Sequence, residues 1–167
     1  MRYKTTPELQ AELFLEKYDI TELDEINLKH ILYAQGYTVI EFDADLSGEN
    51  VQRMVTKLKL EELTKKSVCF TYSDKSYKLI FLKSELSSEE KTEALAREQW
   101  KIILGKFDNL DEGNTGIAKH ESAKAFAYHI LHPSVYYKFK HFLHHNHIKI
   151  FTFIALASLV VAIILLR

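Results

Sequence analysis

Most of the chain is patterned at the helical period, with apolar positions three and four apart, and three short runs rich in β-branched and aromatic residues interrupt it. The first helix is predicted from Thr6-Pro7-Glu8, where proline suits the first helical position and an acid the first turn, and it continues through Leu9, Leu13 and Phe14. Thr21, with Asp24 three residues on, signals a second start ahead of a stripe of Leu23, Ile26, Ile31 and Leu32, which Gly36 closes. Residues 37–42 read as a strand and 43–50 as a turn-rich connection. Val51, Met54, Val55 and Leu58 mark the next helix, with Arg53, Lys57, Lys59, Glu61 and Glu62 on a solvated face. Residues 67–72 and 77–83 flank Ser73-Asp74-Lys75-Ser76 and predict a hairpin, so three strands are expected in one small sheet.

Ser87 and Glu90 form a capping-box pair that opens a further helix, with Leu95, Ile102 and Ile103 as its buried stripe and Gly105 as its stop. Residues 108–116 contain two glycines and read as a loop. The helix over 117–131 carries Ala123, Phe126, Ala127, Tyr128, Ile130 and Leu131 and ends at His132-Pro133.

Residues 150–166 are uncharged and apolar, and as a helix they would span ~26 Å, slightly less than a ~30 Å hydrocarbon core. They predict a C-terminal transmembrane anchor, with Lys149 and Arg167 snorkelling at its edges and Tyr136, Tyr137, Phe139 and Phe142 at the interface before it. Lys138, Lys140 and Lys149 precede the span, which orients the globular part toward the cytoplasm. His141, His144, His145 and His147 cluster in the same juxtamembrane stretch, where spacings of three and four make them a weak candidate for a surface metal site or a pH-sensitive contact with anionic headgroups. The expected organisation is a globular domain over 1–133, a basic, histidine-rich helix over 134–149 and the membrane helix over 150–166.

Composition narrows the picture by exclusion. The 167 residues carry a net charge of −1 with both signs interspersed, which leaves no basic footprint for nucleic acid. The single cysteine, Cys69, has no intramolecular partner for a disulfide; it reads as a buried small hydrophobe and fits a reducing compartment. No secretory signal is expected, because the stretch from Met1 to Gln10 is polar.

One helical turn carries candidate chemistry. Arg97-Glu98-Gln99-Trp100-Lys101 has the frame of His-Glu-x-x-His, in which two histidines four apart grip a zinc ion and the glutamate acts as general base. Alone, the frame is only a charged helical turn. Its surroundings over residues 20–135 resemble the ImmA/IrrE family of metallopeptidases: the helix ending at Gly36 before Tyr37-Thr38-Val39-Ile40, the strand Lys78-Leu79-Ile80-Phe81-Leu82, the run Leu95-Ala96-Arg97-Glu98-Gln99-Trp100-Lys101-Ile102-Ile103-Leu104-Gly105, and Ala123-Lys124-Ala125-Phe126-Ala127-Tyr128-His129-Ile130-Leu131-His132-Pro133.

The resemblance implies an α+β, zincin-like domain with helices around a short three-stranded sheet, here followed by the transmembrane helix. It places the two histidine ligands on Arg97 and Lys101, the third ligand on His120, a supporting acid on Lys124, and a small glycine beside the metal on Trp100. Only Glu98 keeps the family's catalytic residue type. Arginine and lysine offer no lone pair at neutral pH and would repel the ion, so no metal is expected, and Glu98 is expected in a salt bridge to Arg97, Lys101 or Lys124. Zinc would enter only through a rearranged site using His120 and Glu98, with Glu121 as a further donor.

Family members recognise and cut a repressor protein. The implied function is therefore a membrane-tethered pseudopeptidase that binds a protein partner, a repressor-like regulator, without cutting it. Two alternatives stand beside it: an active metallopeptidase with the rearranged site, and a membrane interaction or immunity-type protein with no peptidase-related role.

Overall fold

The structure, a computed structural model, describes residues 6–105 and 116–165, with the backbone alone at 116–120, 159, 160 and 162–165. Chain contacts separate two units, Met1–His132 and Pro133–Arg167. The loop expected at 108–116 lies almost wholly outside the described residues.

In the first unit, α1 (Pro7–Tyr18), α2 (Glu25–Ala34), β1 (Thr38–Phe42), α3 (Glu49–Leu58), α4 (Glu61–Lys66), β2 (Cys69–Ser73), β3 (Lys78–Lys83), α5 (Ser88–Leu104) and α6 (Gly116–Leu131) follow in order. The three strands form one sheet in the order β1-β3-β2, with β1 parallel and β2 antiparallel to β3. Asp74 closes the β2–β3 hairpin, its Oδ1 accepting from the amides of Ser76 at 2.7 Å and Tyr77 at 2.6 Å.

Strand alternation sends Leu79 and Phe81 to one face of the central strand and Ile80 and Leu82 to the other. The first face packs with Phe42, Val55, Leu60 and Phe70, where the Phe70 and Phe81 rings stack at 5.0 Å. On the second face, α5 lies against β2 and β3 and is flanked by α2 and α6. Ala94, Leu95 and Ala96 are buried in α5, which packs against the sheet and the two flanking helices.

Local signals set the helix ends, sometimes away from the expected place. The α5 capping box is complete, with Ser87 Oγ accepting from the Glu90 amide and Glu90 Oε2 accepting from the Ser87 amide, and Gly105 at φ 63° terminates the helix in the left-handed region. Asp24 is itself the N-cap of α2, accepting from the Asn27 amide at 2.7 Å. That cap leaves Leu23 before the helix and turns Ile26 outward at 65% exposure, so the buried face is Leu28, Ile31 and Leu32. Leu9 and Leu13 are likewise exposed while Ala11, Phe14 and Leu15 are buried. The charged run after Leu58 splits: Lys59, at φ 57°, ends α3, and α4 begins at Glu61. Ile102 and Ile103 fall in the last turn of α5, where Ile103 is 37% exposed, and the buried stripe runs instead through Thr92, Leu95, Glu98 and Gln99.

The second unit contains α7 (Val135–Leu165), 31 residues long, entered at Ser134, whose Oγ accepts from the Tyr137 amide. The expected transmembrane helix is overturned. Among the described residues no helix is long and apolar enough to cross a membrane. The apolar run is the C-terminal part of α7, whose N-terminal half carries Lys138, Lys140, Lys149 and four histidines. The membrane anchor, the cytoplasm-facing orientation deduced from it, the snorkelling roles of Lys149 and Arg167 and the interfacial role of Tyr136, Tyr137, Phe139 and Phe142 fall with it.

Candidate functional site

The frame residues diverge around α5. Glu98 faces the sheet and is 3% exposed. Its Oε2 accepts a 2.7 Å hydrogen bond from Thr71 Oγ1 on β2, and its Oε1 lies 2.8 Å from Lys101 Nζ, one turn along the same helix. Thr71 is paired with Ile80 in the sheet, so it shares the face that α5 covers. A buried carboxylate needs a counter-charge and hydrogen-bond donors, and Glu98 has both.

Arg97, at the other position where the resemblance expects a ligand, turns back along the helix and pairs with Glu93. Lys124 pairs with Glu121 at 3.5 Å on α6, and both are exposed. Of the three cations expected around Glu98, the structure therefore places Lys101 on it, while Arg97 and Lys124 have acids of their own. His120 lies in α6, but its side chain is outside the described residues.

Trp100 is buried between α5 and α6, its ring 5.1 Å from that of Phe126, which meets Phe14 edge-on at 5.9 Å. The indole thus belongs to the packed core joining α1, α5 and α6. Beside it, Gln99 is 1% exposed, and among the described residues neither Gln99 Oε1 nor Trp100 Nε1 has a hydrogen-bond partner. Nothing in the residue pattern singled out Gln99, because a glutamine on a charged helix ordinarily faces water.

A cation–carboxylate network ties the same helix to its neighbours. Glu41 on β1 receives Lys29 at 2.6 Å and Lys91 at 2.7 Å, and Lys29 also reaches Glu25 at 2.6 Å. Hydrogen bonds from Lys29 and then Lys91 hold the Glu41 carboxyl below the usual range, and the bond from Lys29 does the same for Glu25. Burial alone would lower Lys29, but its bonds to Glu25 and Glu41 outweigh that and raise it.

An open groove of about 640 Å³ lies elsewhere in this unit, at the C-terminal ends of α1, α2 and α5, and Glu98 is not in its lining. Lys17 Nζ stands 5.0 Å over the Tyr18 ring and Lys78 Nζ 5.6 Å over the Tyr37 ring, with Ile102 and Ile103 as apolar floor. Gln35 Nε2 donates to the Tyr18 hydroxyl at 2.8 Å, while Gln35 Oε1 is buried without a partner among the described residues. Burial raises the Tyr37 hydroxyl above its ordinary pKa, against an opposing bond from Ser73.

Comparison of the chain with protein-family models, curated proteins and solved structures finds no match. The likeness to ImmA/IrrE peptidases therefore rests on the residues quoted for it.

Proposed function

We propose that the Met1–His132 unit is a zincin-like domain that has exchanged peptide hydrolysis for binding a protein partner, a repressor-like regulator. The observation that carries this reading is Lys101. Its ammonium sits 2.8 Å from the buried Glu98 carboxylate, so the group that would act as general base is neutralised by a covalently attached cation. Thr71 holds the second oxygen. A carboxylate engaged on both oxygens, with cationic residues at both former ligand positions, has no metal-bound water to activate.

The groove at the helix ends supplies a surface for the partner. Its apolar floor and two ammoniums, which among the described residues form no ion pair with a carboxylate, fit a segment carrying acidic side chains beside apolar ones. Lys17 and Lys78 also offset the carbonyl ends of three helices, so the acids would meet the lysine tips at the rim.

Purified full-length chain is expected to hold no stoichiometric zinc and to leave casein and repressor proteins uncut. A repressor-like regulator identified by crosslinking, then purified, should bind directly. Lys17→Glu with Lys78→Glu should weaken that binding by about tenfold or more, and Glu98→Gln should leave it unchanged. Stoichiometric zinc, together with cleavage abolished by Glu98→Gln, would refute the reading.

A further inference from the structure

Four histidines fall within residues 141–147 of α7, and the helix sorts them into unequal pairs. His141 and His145, one turn apart, stack with ring centroids 4.3 Å apart and 35° between planes, and ring nitrogens of the two lie within 4.8 Å of each other. His144 meets His145 nearly edge-on at 5.4 Å. The His147 Nδ1–H donates to the His144 carbonyl at 2.6 Å, which commits that ring to its own helix backbone.

We propose that His141 and His145 form a two-ligand site for a borderline divalent transition ion of the zinc, nickel or copper class, completed by water. Nitrogens on one tetrahedral zinc ion stand ~3.3 Å apart, given bonds of ~2.05 Å, so small ring rotations bring both lone pairs onto one ion while the helix stays as it is. Imidazole selects these ions over magnesium or calcium, which demand oxygen donors. No aspartate or glutamate occurs between residues 135 and 149, so α7 adds no carboxylate ligand. Lys138 and Lys149, three residues before His141 and four after His145, lie on the same side of the helix and hold the affinity to a moderate level.

Titration calorimetry of the full chain with Zn²⁺ alone, and electron paramagnetic resonance with Cu²⁺ alone, test the site. One ion per chain is expected, with a copper spectrum showing two coordinated nitrogens. Because the second imidazole binds intramolecularly, His141→Ala and His145→Ala should each weaken binding at least ~10-fold. His144→Ala and His147→Ala should change it less than ~2-fold, and Glu98→Gln should leave it intact, which separates this site from the α5 frame. Absence of binding, an equal loss across all four alanine variants, a single-nitrogen copper spectrum, or loss of the ion in Glu98→Gln would each overturn the assignment. Circular dichroism of each variant confirms that the helix persists.

Discussion

Replacing Lys101 with methionine retains the aliphatic stem and removes only the ammonium that faces Glu98. Two unit charges 2.8 Å apart attract by about 6 kcal/mol at an effective dielectric constant of ~20. Desolvation of the 4%-exposed Glu98 side chain offsets much of that in the native protein. Breaking such a pair ordinarily costs about 3–5 kcal/mol, because the remaining charge stays buried. Lys101 is 28% exposed and Thr71 keeps its bond to the carboxylate, so about 2–3 kcal/mol is expected here. Glu98→Gln should cost only about 1 kcal/mol, since a neutral amide can still accept from Thr71 and Lys101 can reach water. The double variant should then resemble Glu98→Gln alone, giving a coupling of about 2–3 kcal/mol. Urea unfolding followed by fluorescence measures all three, because Trp100 is the single tryptophan of the chain and is buried two residues from Glu98. A Lys101→Met variant within ~0.5 kcal/mol of the parent, or additive single effects, would refute the reasoning.

Thr71→Val removes a second support of Glu98 and should cost about 1–2 kcal/mol in urea unfolding, with Thr71→Ser recovering most of it. Phe126→Ala should cost about 3–5 kcal/mol and shift Trp100 emission to the red, since Phe126 is fully buried against that indole. The depressed Glu41 and Glu25 carboxyls contribute stability that is present above the unfolded carboxyl pKa of ~4.3 and is lost as pH falls through their lower folded values. Glu41 is partly exposed, so its share stays below about 1 kcal/mol, and unfolding midpoints between pH 6 and pH 3 should fall less steeply in Glu41→Gln.

Features set within a few residues of chain were legible in the sequence. The Ser87–Glu90 box, the Asp74 hairpin and the left-handed stop at Gly105 each depend on partners two to four residues away, and residue type alone announces them. Which face a helix buries was less legible, because one cap moves it: Asp24, rather than Thr21, starts α2 and leaves Ile26 in water. Thr71 had no local signal at all. Its bond to Glu98 joins residues 27 apart and exists only because β2 pairs beside the strand that α5 covers. The apolar run over 150–166 points to a membrane span by residue type, yet among the described residues no helix is long and apolar enough to cross one.

The two cations of the frame have different physical roles, and that difference follows from helix geometry. Arg97 precedes Glu98 by one residue, which places the two about 100° apart around the helix, and its neighbour at four residues' distance is Glu93. Lys101, three residues after Glu98, rises over the same face and can bring its ammonium to the carboxylate while its stem runs toward solvent. A carboxylate buried beneath α5 requires a positive charge whatever its origin, and a metal ion or a lysine at the third residue each meets that requirement. Arg97 is therefore replaceable without disturbing Glu98, whereas the buried Glu98 carboxylate depends on the Lys101 ammonium, which without it can still turn to water.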